Sequence, residues 1–152
     1  MQSIGRMFSN PILLPAFSAW FLAQFIKVIY HWIIDKKLNW GWFFATGGMP
    51  SSHSSFVMAL ITIAGFLEGF DSLLFGVSSV FAFVVMYDAM GVRRAAGEQA
   101  MAINKILHEI RTGSNIDFTP MREILGHRPI EVMLGALLGI IVAIIYILIR
   151  YV

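Results

Sequence analysis

Uncharged stretches organise the chain. Met7–Ile26 carries no charge, and its apolar character continues past Lys27 to Ile34. Leu38–Leu67 holds His53 as its one ionisable group, and Ser72–Tyr87 and Val132–Ile149 are free of charge. A bilayer span takes about 20 mostly apolar residues, roughly 17–25. The pattern therefore predicts four transmembrane helices, about 10–34, 52–69, 71–91 and 130–150, with a tight hairpin through "EGFD" between the middle two. The first run exceeds a signal-peptide core and lacks a small-residue cleavage site. Between Val92 and Arg128 the pattern changes. Ala96, Ala100, Ile103, Leu107 and Ile110 step by four and three, which marks one face of a helix. Arg94, Glu98, Lys105, His108 and Glu109 fill much of the other side. An interfacial amphipathic helix is predicted over about 93–111, stopped by "TGSNIDFTP". The expected fold class is all-α integral membrane, one membrane domain over residues 1–152.

Composition supports the bilayer. The chain is 58% hydrophobic and 13% charged, where a soluble domain carries about 25% charged residues. It has no cysteine, which excludes disulfides and thiolate metal sites. A net charge of +2 is too small to suggest nucleic acid. The placement of charge says more. Four antiparallel spans put Lys36, Lys37, Arg93, Arg94, Lys105, Arg111, Arg122 and Arg128 on one side of the membrane. Arg6, Arg150 and the acidic turn lie on the other. Basic loops stay in the cytoplasm, so this multi-pass protein is expected in the plasma membrane with both termini outside.

Topology brings distant residues to one depth on the basic side. His53 opens the second span and His127 the fourth; Arg93 and Arg94 close the third, and Lys27 and His31 lie near the end of the first. In "GGMPSSHSS", Pro50 suits a helix entry and Ser51 or Ser52 an N-cap. The first-turn amides and the positive helix end make an anion site, and Gly47 and Gly48 let backbone approach a ligand. The plain alternative is a capped membrane helix behind a flexible loop. His127 and Glu131 are four apart, so the carboxylate can accept from one ring nitrogen and leave the other to attack. Glu131 can equally favour the positive helix end by itself. Adjacent arginines grip phosphate or anchor a helix, and Asp88 on their apolar side wants one of them as partner. Lys27, a cation inside an apolar span, points inward at an anion or snorkels to the interface. His31 and His108 read as interface and solvated-face residues, and Trp40 with Trp42 as an aromatic belt. Carboxylates and histidines at metal-ligand spacing are not evident, so neither a metal nor another cofactor is expected.

"PSSH" at 50–53 resembles the "PSGH" element of the type-2 phosphatidic acid phosphatase and vanadium haloperoxidase superfamily. "GHRPIEVMLGALLG" looks like its last element. Together with "YDAMGVRRAAGEQA" they resemble the divergent branch related to acid phosphatases and vanadium-dependent haloperoxidases, over nearly the whole chain. The resemblance implies that His127 is a nucleophile forming phosphohistidine, with Glu131 where the family usually has aspartate. It implies that His53 protonates the leaving oxygen, and that Ser51, Ser52, Gly48, Lys27, Arg93 and Arg94 surround the phosphate. The family arginine six residues before the nucleophile falls on Met121, with Arg122 one place off. Arg93 fits that role if the segment from Arg94 to Gly126 is an insertion. The first family element, a lysine spaced from "RP", is absent; Lys27, Lys36 or Lys37 stands in for its lysine. Four spans are fewer than the usual six, which leaves room for a homodimer to complete the bundle. The implied activity is metal-independent hydrolysis of a lipid phosphate at the cytoplasmic face. Phosphatidylglycerophosphate is the first choice of substrate, with phosphatidate and polyprenyl diphosphate behind it. The rival expectation is a non-catalytic protein that binds or transports a phosphate-bearing lipid. Haloperoxidase chemistry has no visible support.

Overall fold

A computed structural model describes residues 10–45, 47–113 and 127–152, with backbone alone at Arg93, Arg94 and 109–113. All regular elements among these residues are helical: α1 (Leu13–Asp35), a 3-10 turn (Trp40–Phe44), α2 (Ser52–Glu68), α3 (Leu73–Met90), α4 (Val92–Gly113) and α5 (Pro129–Tyr151). Leu13–Asp35, the run starting at Leu73 and Pro129–Tyr151 are long and apolar enough to cross a membrane. At 17 residues α2 is shorter, at the lower bound for a span. The expected all-α membrane architecture is what the chain adopts.

Local chemistry starts and stops these helices. The Asn10 side chain accepts from the amides of Ile12 and Leu13 at 2.9 and 3.1 Å. The Ser51 hydroxyl accepts from the Ser54 amide and the Ser72 hydroxyl from that of Phe75, which opens α2 and α3. Gly69, at φ 95°, turns the chain between them. The third apolar helix ends at Gly91, so Arg93 and Arg94 lie in the first turn of α4 rather than at the close of α3.

Helix α2 is the centre of the bundle, in contact with α1, α3 and α5. Its partners meet it through small side chains. On α1 the buried stripe includes Ala16, Ala19 and Ala23; on α5 it is Val132, Gly135, Gly139, Ala143 and Ile147. A Cβ on Gly135 would strike the Ser51 carbonyl, and one on Gly139 the Ser55 carbonyl and, at 2.9 Å, the Ala59 amide. The two backbones therefore touch, and the Ser55 hydroxyl donates to the Ala19 carbonyl at 3.1 Å to tie in α1. Large apolar side chains point the other way: Phe83 is 67% and Ile149 81% exposed. Water would not tolerate that surface. Lipid does, and it supplies no hydrophobic force between helices, so close backbone packing must hold them together.

Candidate active site

One end of the bundle collects the C-termini of α1 and α3 and the N-termini of α2 and α5. The linkage there is covalent-chain independent and direct. The Ser51 amide donates to the Glu131 carbonyl at 3.0 Å, and the His127 amide to the Ala89 carbonyl at 3.1 Å. These two bonds seat the start of α5 against α2 and α3. His53 and His127, 74 positions apart by their numbers, come to a ring-centroid distance of 6.5 Å at 88°. His127 is almost fully buried, at 3% exposure. A single phosphoryl group could touch both rings.

Lys27 points inward. It is wholly buried, and its ammonium donates to Gln24 Oε1 at 2.7 Å and to the Ala45 carbonyl at 3.1 Å. Two of three ammonium donors are thus accounted for, and the Glu131 carboxylate interacts with it electrostatically. Snorkelling to the interface is excluded by this burial. Gly48, at φ 81°, passes against the Lys27 stem: a Cβ there would lie 3.5 Å from Lys27 Cδ. Here glycine is required twice, for its backbone angle and for the close approach. The neighbouring Met49–Pro50 peptide is cis.

One expected role is corrected. The Ser51 amide does not face a ligand, because it is committed to Glu131; the hydroxyl is likewise engaged, by the Ser54 amide at 3.4 Å and the Ser54 hydroxyl at 3.0 Å. Ser51 is a structural cap. Ser52, buried beside it, retains its place in the first turn of α2. Glu131 is a cap as well: its Oε2 accepts from the Arg128 amide at 3.2 Å, closing the first turn of α5. Asp88 sits half-buried in the last turn of α3. The side chains of Arg93 and Arg94, and all of Arg122, lie outside the described residues.

His31, expected at the interface, packs into this end of the bundle. Its ring stacks on Trp42 at 3.4 Å and 4°, and Nδ1 lies 3.6 Å from Asp35 Oδ2. Trp42 is therefore half-buried as a packing partner of His31, and Trp40 stays exposed. The periodic signal was present, since Gln24, Lys27, His31 and Asp35 step by three and four along one face of α1. The turn Trp40–Phe44 is held down on α1 by Phe43, whose ring meets Trp20 and Phe21 at 6.1 and 5.4 Å.

Two cavities flank this end. One, about 300 Å³, is walled by His53, Phe17, Trp20, Phe56, Val57, Phe81 and Val85 and is almost wholly apolar. The other, about 790 Å³, lies between the end of α1, the Gly48 loop, Glu98 of α4 and the start of α5. Among the described residues no group of three His, Cys, Asp or Glu is placed to hold a metal.

The described helices thus bring His53 beside His127, with His53 on the wall of an apolar cavity. The comparisons give the family. The profile of the Divergent PAP2 family matches residues 8–142, and the chain belongs to that family. It is 43% identical over 151 residues to the "Uncharacterized membrane protein YuiD" of Bacillus subtilis (strain 168), covering 92% of this chain and 96% of that one. No solved structure matches.

Proposed function

We propose that the protein is a lipid phosphate phosphatase working through a phosphohistidine. The observation that carries the reading is the pairing of His53 with His127 at 6.5 Å, with His53 on the wall of the apolar cavity. That cavity suits the hydrocarbon part of a leaving group, which puts the leaving oxygen next to His53. In the first step a ring nitrogen of His127 attacks phosphorus and the bond to the lipid oxygen breaks. His53 gives its proton to that oxygen, and the lipid alcohol departs. In the second step water attacks the phosphohistidine, its proton goes to His53, and inorganic phosphate is released. Lys27 compensates the phosphoryl charge from a site with little water, where such a cation acts strongly. Arg93 and Arg94 are the arginines we assign to the same task, on the family resemblance.

The test is phosphate release by the purified chain from a panel of lipid phosphates. Release is expected from at least one, with phosphatidylglycerophosphate the first choice, ahead of phosphatidate and polyprenyl diphosphate. Vanadate, which imitates five-coordinate phosphorus, is expected to inhibit, and chelators to leave the rate unchanged. Loss of activity on chelation that magnesium restores would sink the histidine mechanism. Binding of phosphate lipids without release would move the protein to the binding or transport class.

We further propose that the site faces the cytoplasm of a plasma membrane protein. Eight loop cations against Arg6 and Arg150 support this orientation. A reporter fused after Val152 should read as extracytoplasmic. A cytoplasmic signal overturns the topology and, with it, the preference for a lipid made on that face.

A further inference from the structure

We propose that the larger cavity is a headgroup subsite that reads hydroxyls, with His31 as its hydrogen-bonding residue. The proposal rests on the phosphatase reading for its substrate, which would then be a phosphomonoester carried on a hydroxylated, glycerol-like group. The starting point is a buried polar atom. His31 Nε2 is shielded from solvent and has no hydrogen-bond partner among the described residues. It is aimed at Gly48, where a Cβ would lie 3.4 Å from it and 3.5 Å from Lys27 Cδ. His31 Nε2 and the Lys27 stem therefore flank the same glycine. The imidazole is well fixed in that direction, by the stack on Trp42 and by Asp35 at Nδ1. A ring held on two sides, with its remaining nitrogen unpartnered against Gly48 at the wall of a cavity of about 790 Å³, is arranged to meet a ligand.

The lining decides the ligand's chemistry. Among the described residues Asp35, Glu98, Glu131 and Arg128 line this cavity. Hydroxyls suit such a lining, because they donate to carboxylates. They also suit both states of the ring. An imidazole nitrogen accepts when it is bare and donates when it carries a proton. A hydroxyl can answer either state, whereas a phosphate oxygen can only accept. Lys27, one helical turn before His31, then takes the phosphate while His31 takes the neighbouring hydroxyl.

The experiment uses two soluble probes that differ only in hydroxyls, glycerol 3-phosphate and propyl phosphate. Their affinities are measured by calorimetric titration of the full chain in detergent. Wild type is expected to prefer glycerol 3-phosphate by about tenfold, which is what one ordinary hydrogen bond supplies. His31→Ala should bring the glycerol 3-phosphate affinity down to that of propyl phosphate. His31→Phe keeps a ring on Trp42 and removes both nitrogens; it makes the same test if the alanine variant does not fold. Equal affinities in wild type, or a preference that survives both variants, overturns the proposal. The two readings separate cleanly. A glycerol preference that depends on His31, in a chain that releases phosphate from no lipid, removes the phosphatase and leaves the subsite. Phosphate release without the preference does the reverse.

Discussion

His127→Ala is expected to end turnover on every substrate, whereas His53→Ala is expected to lose about 10²–10⁴-fold on a lipid phosphate and far less on an aryl phosphate. The asymmetry follows from what each histidine does in the proposed reaction. Without His127 no covalent intermediate can form, whatever the leaving group. Without His53 only the proton delivered to the departing oxygen is lost. A lipid alkoxide needs that proton strongly, and a nitrophenolate hardly at all. Both rings stand in the same cluster, 6.5 Å apart, so a general disturbance of the site would lower both variants on both substrates. The informative quantity is the ratio between two substrates on one variant, which a folding defect leaves unchanged. Rescue of His127→Ala by the aryl substrate would mean that the roles are exchanged.

Gly139→Val is expected to destabilise the bundle strongly. An added Cβ at this position meets backbone, the Ser55 carbonyl and the Ala59 amide, not the end of a flexible side chain. Helices α2 and α5 would have to move apart, and with them the small-residue contact that holds the bundle in lipid. Overpacking costs about 1–3 kcal/mol and occasionally more, and the upper end is expected because backbone cannot repack. Gly76 on α3 provides the control: a Cβ there finds nothing within 4 Å. Gly76→Ala should be neutral or stabilising, since alanine is favoured over glycine in a helix by about 1 kcal/mol. Thermal unfolding in detergent measures both. A Gly139→Val midpoint equal to that of wild type would contradict the close approach of α2 and α5.

Much of the site could be read from the chain because the bilayer simplifies the problem. Crossing it demands a run of apolar residues of a certain length, and that demand is local. The helices Leu13–Asp35, Leu73–Met90 and Pro129–Tyr151 accordingly follow the uncharged runs. Antiparallel order then carries His53, His127 and Lys27 to one end with no knowledge of packing. The inward turn of Lys27 was legible for the same reason, as a cation within a span has to find a partner. The Ser51 cap was legible from residue type.

Sequence by itself thus determined the class, the helical runs, and the end of the bundle to which His53, His127 and Lys27 are carried. Tertiary structure decided which groups were already spoken for. The Ser51 amide belongs to the Glu131 carbonyl, one Glu131 oxygen to the Arg128 amide, and two of the three Lys27 ammonium donors to Gln24 and Ala45. It also decided that His31, on the same face of α1 as Lys27, turns its Nε2 against Gly48, with Trp42 folding back from the following turn to stack on the ring. Helical spacing and span length are properties of neighbours in the chain. The partner of a buried donor is set by whatever backbone or ring the packed helices and loops bring within about 3 Å of it, and no local pattern specifies that.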